Sequence, residues 1–570
     1  MRNDEVAAAL YEIADLLELS GDEDRFRPIS YRRAARGIEG LAEDVEDLVN
    51  QGRLEEVPGV GRSIAAKIKQ LLREGEIDEL KTLRVQFPPG LLDIMRIPDI
   101  GPKTARRLYV ELKITSLDEL RKAAEGGRLR RLKGFKEKTE ENILKGIRLV
   151  EAAKGRFLLG TVLPLAALIL DHLRANAPVE NATYAGSVRR MKETVGDLDV
   201  LVTTRDASAA TKAFTSMPLV HEVVMSGDTK STALVGPERI QVDLRVLEPG
   251  SWGSGLQYFT GNKDHNIKLR TLAQKAGLKL SEYGLFRGEE QVAGATEESV
   301  YAALGLPYIE PETRENTGEI EAAQKGTLPS LVTLGDIKGD LHAHTNLTDG
   351  VNTLEEMAAA ARAKGYEYLG ISDHSPFLRV ANGLSEENLR IHVAHIREFN
   401  RRSRDLRLLA GTECDILADG RMDYPDSVLQ TLDYVIGSVH SNFKLSERSM
   451  TERVLRAMGN EHVDIIGHPT TRKIGQREPI ALDIERVMDV AADTGTLLEI
   501  NAYPDRMDLN GPHAKLAKEH GVKLIIDTDS HATAQLDFMR LGVGTARRGW
   551  LEKGDVANTM SYEQILSSFR

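Results

Sequence analysis

Gly186-Ser187-Val188-Arg189-Arg190, followed closely by Gly196-Asp197-Leu198-Asp199-Val200-Leu201-Val202, is the stretch on which the reading of this chain turns. Residues two apart on a strand share a face. Asp197 and Asp199 therefore point one way, while Leu198, Val200 and Val202 point toward a core. A second run, Ile240–Val246, puts Ile240, Val242, Leu244 and Val246 on one face and leaves Asp243 on the polar one. Three carboxylates converging from two strands suit two hard divalent ions bound through oxygen. Two ions about 3.5–4 Å apart can activate a hydroxyl and neutralise a leaving pyrophosphate. A lone pair of alternating aspartates reads as the wet face of an edge strand. The preceding Gly-Ser turn changes the weighing, because it offers backbone N–H groups and a hydroxyl to phosphate oxygens, with Arg190 close by for charge.

The rest of the chain must accommodate this centre. Its 570 residues are too many for one hydrophobic core, so several domains are expected. A hydrophobic content of 41% and a charged content of 28% suit a soluble globular protein. No stretch is long and apolar enough to span a bilayer, and the first residues read as an amphipathic helix, not a signal peptide. One cysteine, Cys414, excludes an intramolecular disulfide framework, and a cytoplasmic protein is expected. The net charge of −12 argues mildly against a nucleic-acid binder, but binding depends on local patches. Such patches occur at Arg32, Arg33 and Arg36, at Arg106 and Arg107, and from Arg128 to Lys138. Any one of them alone reads equally as a solvated helix face.

Residues 1–150 carry apolar residues at helical spacing throughout. Within them a local pattern repeats. Val57-Pro58-Gly59-Val60-Gly61 opens one helix, Ile97-Pro98-Asp99-Ile100-Gly101 a second, and Leu132-Lys133-Gly134-Phe135-Lys136 a weaker third. A tight hairpin needs residues that tolerate positive φ, and the helix that follows aims free N–H groups outward, a ready phosphate site. Such contacts carry no sequence preference. A plain helix-capping turn would explain one copy but not two. These segments resemble helix-hairpin-helix motifs, with DNA contacts expected at Gly59, Val60, Gly61, Ile100, Gly101 and Lys103. Lys136 stands where the third copy would need its second glycine.

The Gly-Ser turn with its three aspartates resembles the nucleotidyltransferase superfamily. Leu256-Gln257-Tyr258-Phe259-Thr260-Gly261-Asn262-Lys263-Asp264-His265-Asn266 narrows this, since it resembles the corresponding segment of family X DNA polymerases. The resemblance covers roughly residues 1–315. It implies that Asp197, Asp199 and Asp243 are catalytic and hold Mg²⁺ or Mn²⁺. It also implies a nucleotide site of Gly186, Ser187, Arg190, Gly196, Tyr258, Phe259, Gly261 and Asn266. Tyr258 and Phe259 would line the sugar, Asn266 would meet the base edge, Arg190 would bind the triphosphate, and Arg245 would support the carboxylates. One departure is Val195, where the DNA polymerase β-like branch has a hydroxyl residue reaching the phosphates. Lys67 falls where that branch carries a Schiff-base lysine for lyase chemistry, and Tyr31–Ala35 resembles that domain, but Ser63 replaces a basic residue of the lyase pocket.

From residue 339 onward, apolar runs end repeatedly on metal-ligand residue types: His342 and His344, Asp373-His374, Glu413, His440, His468, Asn501, then Asp527, Asp529 and His531. Seven parallel strands ending this way would place those residues on one rim, where barrel active sites lie. A single histidine is most often structural, but six at strand ends are a metal centre, and imidazole with carboxylate favours Zn, Mn or Fe over Mg. The pattern resembles the PHP (polymerase and histidinol phosphatase) family. That resemblance implies a distorted (β/α)₇ barrel and up to three Mn²⁺, Zn²⁺ or Fe²⁺ ions. His342, His344, Glu413 and Asp529 would hold one. His440 and His468 would hold a second, sharing Glu413. Asp349, His374 and His531 would hold the third. Arg421 and Arg477 are candidate phosphate contacts, and Cys414 should point away from the metals.

The expectation is therefore a multidomain chain: an all-α helix-hairpin-helix N-terminal region, an α+β nucleotidyltransferase palm and thumb, and a C-terminal PHP barrel. The expected divisions are an N-terminal helical domain at 1–85, fingers at 86–155, palm at 156–245, thumb at 246–315, a linker at 316–338 and the PHP domain at 339–570. Function is expected to be template-directed filling of short gaps in base excision repair, using dNTPs on gapped or nicked duplex DNA. The PHP domain would act as a 3′–5′ exonuclease, 3′-end phosphatase or AP endonuclease. A monomer associated with the nucleoid, without membrane contact, is expected. One alternative is a PHP nuclease or phosphatase whose palm only binds DNA. Another is a metabolite nucleotidyltransferase joined to a small-molecule phosphatase.

Overall fold

The computed structural model describes residues 3–21, 26–39, 41, 44–97, 100–153 and 155–569. Pro98 and Asp99 of the second hairpin lie outside the described residues.

The described residues among 3–153 fold mainly as helices around one core. In α1 (Asn3–Ser20), Val6, Leu10, Ile13 and Leu17 recur at helical spacing and are all buried. Helix α2 (Phe26–Glu39) packs on α1. The first hairpin leads into α3 (Arg62–Glu74) and the second into α4 (Pro102–Leu112), with Gly61 and Gly101, the last residue of each motif, at the helix N-cap. Gly59 has φ +85, and a Cβ there would meet the Arg33 and Ala34 backbone at 2.8 Å. The hairpin turn thus rests directly on α2, which is why a residue without a side chain stands there.

The palm begins with α5 (Leu159–Asn176), whose apolar residues cover a five-stranded sheet. Its strands are β1 (Val179–Tyr184), β2 (Leu198–Thr204), β3 (Val220–Ser226), β4 (Lys230–Val235) and β5 (Ile240–Leu247), in the spatial order β1-β2-β5-β4-β3. The short helix α6 (Gly186–Arg189) joins β1 to the approach to β2. The β2–β5 pair is parallel and the others antiparallel. The thumb follows with α7 (Trp252–Thr260), α8 (Lys263–Lys275) and a small three-stranded sheet.

The stretch 316–338, whose polar composition suggests a linker, is a packed element. It contains α9 (Glu319–Lys325), which buries Ile320 and Ala323 in the thumb core, while Val332 is buried in the core of the last domain. A few apolar side chains at the right places suffice to dock a segment that is polar on average.

The C-terminal domain is a closed parallel barrel. Its strands are β6 (Gly339–Asp340), β7 (Tyr368–Ile371), β8 (Arg407–Ala410), β9 (Glu413–Asp415), β10 (Ile436–Ser438), β11 (Ile465–Ile466), β12 (Leu497–Asn501) and β13 (Leu524–Asp527). They form two parallel sheets, β6-β7-β8 and β9-β10-β11-β12-β13. The run read as one strand ending at Glu413 is broken at Gly411 and Thr412, so seven strand positions are built from eight segments. The sheets join at both ends: His374 bridges Glu413, and Ala343 bridges Ser530. There His344 N donates to Ser530 O at 2.8 Å and Ser530 N to His342 O at 3.1 Å. Closure is thus made at the strand ends that carry the metal-ligand residue types.

The barrel is fused to the palm through a shared core. Met507 and Leu541 are buried in the same cluster as Leu159, Val162, Val195 and Leu198. Arg472 with Glu193, at 3.0 Å, and Arg540 Nη2 with the Tyr184 hydroxyl, at 2.6 Å, tie its edge.

Candidate active sites

The palm centre is built from strand register. Asp199 on β2 stands opposite Asp243 on parallel β5. Asp197 precedes β2 by one residue and is exposed. Asp243 is buried; it accepts from Thr232 Oγ1 at 2.7 Å, and Lys230 Nζ lies 2.8 Å from its other oxygen. Arg245 bridges the two carboxylates, 3.7 Å from Asp199 and 3.8 Å from Asp243, with its guanidinium 4.3 Å from the Phe259 ring centre. Burial, then the neighbouring Asp197 charge, pushes the Asp199 carboxyl up to about 6. Burial opposes ionisation of Asp243 too, but Lys230 and Thr232 hold it below the usual carboxylate range. Three crowded carboxylates, one open to solvent, form an all-oxygen donor set that fits Mg²⁺ or Mn²⁺. Lys230 and Thr232 escape sequence reading because nothing in the run KSTALV marks the strand beside Asp243.

The phosphate turn lies against this centre. Gly186 has φ +61, and a Cβ on it would fall 2.9 Å from Asp199 Oδ2, so the turn reaches the carboxylate only as glycine. Arg190 is half-buried, its Nε donating to Glu315 Oε1 at 2.9 Å and its Nη1 to Thr260 O at 2.5 Å. Tyr258 and Phe259 meet edge to face at 5.1 Å between centroids. Asn266 is engaged within the protein. It is buried, accepting from Gln257 at 2.7 Å and donating to Tyr258 O at 2.7 Å, so both ends of its amide brace the Tyr258 segment. Val195 is fully buried opposite Phe157, and serves the palm core where a phosphate contact would otherwise stand.

In the hairpins, Val60 and Ile100 are anchors. Their side chains are buried, and their N–H groups donate back to Val57 O and Ile97 O, each at 3.0 Å. Their N–H groups are thus spent within the turns, and the amides that follow them remain as candidate donors. A Cβ on Gly61 or Gly101 would meet nothing within 4 Å, so the protein itself does not demand glycine there. That open space lies at helix N-termini, where donors lack intrahelical partners. Lys103 is exposed in the first turn of α4. Lys67 is different: its Nζ contacts Ser63 Oγ at 3.1 Å and Glu79 at 3.2 Å.

In the barrel, eight of the nine expected side chains fall into ligand groups, and His468 joins them only through Glu413, His374 standing with His440 where His468 was expected. His342, His344, Glu413 and Asp529 form one ligand group; His344, Asp349, His374 and His531 form another; His374, Glu413 and His440 form a third. His344 and His374 each join two groups, a sharing not expected from the sequence. Glu413 is the hub: His468 Nε2 lies at 2.9 Å, His374 Nδ1 at 3.0 Å, His440 Nε2 at 3.2 Å and His342 Nε2 at 3.4 Å. The fit to metal ions is read from orphaned donors. His342 Nε2, both His344 ring nitrogens, His374 Nδ1 and Asp349 Oδ1 are buried without a hydrogen-bond partner among the described residues. Burial, with His531 and His374 beside it, pushes His344 down to about 4. His468 and Asp529 take positive φ, 29° and 53°, strain held by the strand ends around them.

Outer partners set these ligands. His342 Nδ1 lies 2.6 Å from Glu499, and His440 Nδ1 3.2 Å from Asp415. Asn501 donates to Asp529 at 3.1 Å and to Glu499 at 3.2 Å. Such contacts fix ring orientation and tautomer. Glu499, a carboxylate inside the apolar run LLEIN, was a readable signal that a strand-end rule passes over. Arg506, also unread, has its Nε 3.5 Å from Asp529 and a buried Nη1 without a partner among the described residues. Of the two arginines proposed from sequence, Arg421 pairs with Asp419 at the surface, and Arg477 is tied to Thr471 O and lies over Phe443. Cys414 points into the barrel's outer core, its thiol pushed up to about 12 by burial.

Known families match in the order this geometry requires. A helix-hairpin-helix domain matches residues 1–77, a SAM-like helix-hairpin-helix tandem 91–149, the DNA polymerase beta palm 162–235, the DNA polymerase beta thumb 255–315, and the PHP domain 340–503. The chain is 38% identical over 568 residues to "DNA polymerase/3'-5' exonuclease PolX" of Bacillus subtilis, covering 99% of each. The chain belongs to the family X DNA polymerases. As a polymerase of this family it carries its PHP domain at the C-terminal end. A "Probable phosphatase" of Acetivibrio thermocellus is 28% identical over 35% of this chain and 80% of its own length. DNA polymerase lambda of Arabidopsis thaliana is 26% identical over 51% of this chain and 58% of its own. The palm and PHP matches end before Asp243, Asp529 and His531; for this polymerase, strand register and barrel closure place those three. No helix among the described residues is long and apolar enough to cross a membrane.

Proposed function

We propose that this polymerase fills short gaps during base excision repair and trims 3′ ends through its barrel. The observation that carries the reading is a histidine-rich ligand cluster in the barrel on the same chain as Asp199 facing Asp243 in the palm. In the palm, Asp197, Asp199 and Asp243 would hold Mg²⁺ or Mn²⁺, which when bound supply electrostatic stabilisation at the transferring phosphate. Gly186, Ser187, Gly196 and Arg190 would receive the triphosphate of a dNTP. Phe259, stacked under Arg245, would support the sugar side with Tyr258. The helix starts after Gly61 and Gly101, with Lys103, would grip the backbone of gapped or nicked duplex without reading bases.

In the barrel, the nine ligands would hold up to three Mn²⁺, Zn²⁺ or Fe²⁺ ions, which when bound supply an activated water. Glu499 and Asp415 orient His342 and His440, and Arg506 presents a free guanidinium edge to a phosphate. The substrate proposed is a DNA 3′ end, with 3′–5′ exonuclease activity foremost and phosphatase or AP endonuclease activity on the same centre. Lys67 is left out of this proposal, because Ser63 and Glu79 hold its amine. A monomer working on nucleoid DNA completes the reading.

The test is a labelled one-nucleotide-gap DNA with Mn²⁺, with and without dNTPs. Extension with dNTPs should vanish in Asp197→Asn/Asp199→Asn, and shortening without them should vanish in His342→Ala/His344→Ala. Retention of either activity in its variant sinks the corresponding assignment.

A further inference from the structure

One side chain of the barrel hydrogen-bonds directly to the palm's phosphate turn. The last residue of α10 (Met539–Arg548) is Arg548, nearly buried behind that turn. Its Nη1 donates to the main-chain oxygen of Arg190 at 2.9 Å and to Glu315 Oε1 at 3.1 Å. Glu315 Oε1 also accepts from Arg190 Nε at 2.9 Å. One guanidinium thus holds both the backbone of Arg190 and the counter-ion of its side chain. The helix is seated closely enough to do so because Gly544 stands opposite Met191, where a Cβ would fall 2.5 Å from the Met191 side chain.

This arrangement leaves Arg190 with a defined free edge. Nε is taken by Glu315 and Nη1 by Thr260 O; Nη2 has no partner among the described residues. Glu315 in turn is shared with Lys192 at 3.5 Å and Asn262 at 3.3 Å. Without Arg548, the carboxylate would be neutralised mainly by Arg190, drawing the guanidinium away from incoming phosphate, and the turn would lose its tether.

We propose that Arg548 of the PHP barrel is a positioning residue for nucleotide binding in the palm, acting through Glu315 and Arg190. The inference rests on Arg190 as the triphosphate contact, and the test separates the two. On gapped DNA, KM for dNTP and kcat for extension are measured for the full chain and for Arg190→Ala, Arg548→Ala and Arg548→Lys. Hydrolysis of single-stranded DNA without dNTPs is followed in parallel, with the melting temperature.

Arg190→Ala should raise KM for dNTP, and a KM unchanged there withdraws the underlying assignment and this inference with it. Arg548→Ala should raise KM about tenfold, the worth of one charge-assisted hydrogen bond, with kcat within about twofold. Arg548→Lys, which keeps a cation but not the fixed planar placement of Nη1 between the two acceptors, should fall between, and hydrolysis should be unchanged. If Arg548→Ala does not fold, Arg548→Lys carries the test by the same split of KM from kcat. A wild-type KM in the Arg548 variants alone overturns the proposal. So does a parallel loss of extension, hydrolysis and melting temperature, which marks a tie that is merely structural.

Discussion

Asp199 and Asp243 face each other across parallel strands, yet their acidities move in opposite directions, Asp199 up to about 6 and Asp243 down. The difference lies in their partners. Asp243 has Lys230 and Thr232 within hydrogen-bond reach, whereas Asp199 has the nearby Asp197 charge and a more distant Arg245.

Stability and activity should therefore separate at this pair. With divalent ions chelated at pH 7, Asp199→Asn removes a charge the fold disfavours and should stabilise by up to roughly 2–3 kcal/mol. Asp243→Asn strands Lys230 and should lower the melting temperature. Both should cut primer extension by at least about 10²–10³-fold. Melting curves in chelator beside extension assays check this, and an Asp199→Asn chain that melts lower than wild type contradicts it.

Glu297 locks the thumb to the palm. It is buried with Arg314 at 2.6 Å and Arg189 at 2.5 Å, and Arg189 also donates to Thr260. Breaking such a buried cluster leaves an uncompensated charge. Glu297→Gln should cost on the order of 3–5 kcal/mol, seen as a lower urea midpoint. A midpoint equal to wild type would show that the cluster adds nothing.

Glu315 links stability to pH. Burial opposes its charge, but Arg190 and Arg548 bring its carboxyl down from an ordinary 4.5 to about 2. A depressed carboxyl contributes stability above its unfolded value and loses it as pH falls through the folded one. The stabilisation by Glu315 over Gln should thus be full above about pH 5, on the order of 3 kcal/mol at most, and fade toward pH 2. Melting of wild type and Glu315→Gln from pH 7 to pH 3 measures it; a gap that widens on acidification has the wrong sign.

Metal loading of the barrel should be visible without any substrate. His342 Nε2, His344 Nε2 and His374 Nδ1 face Glu413 and Asp529 without making a hydrogen bond among the described residues, the arrangement of ligands around an ion. Adding Mn²⁺ or Zn²⁺ to chelated protein should raise the melting temperature by several degrees, a binding linkage. His342→Ala/His344→Ala should lose most of that rise. An equal rise in the variant places the ions elsewhere.

Much of both centres could be read before the fold was known, and for a local reason. Asp197 and Asp199 show their common face through strand alternation, and the barrel ligands repeat one habit, an apolar run ending on a ligand. What stayed hidden is non-local. Lys230, Thr232 and Arg506 carry no motif, and only packing brings them to a carboxylate. Glu297, Arg314, Glu315 and Arg548 pair across long chain separations. Asn266 was readable by resemblance only, and its amide bonds Gln257 and Tyr258 on one side each, a bracing that no motif announces. The segment 316–338 misleads because composition averages over the few side chains, Ile320, Ala323 and Val332, that dock it.

Met507 and Leu541 of the barrel lie in one core with Leu159 and Leu198 of the palm. Close-packed apolar cores do not deform continuously, so this joint makes the enzyme a ruler. The span between the two centres is a constant of the protein. Under the proposed function, a DNA end passing from palm to barrel would have to bridge that span by parting base pairs and not by a swing of the domain.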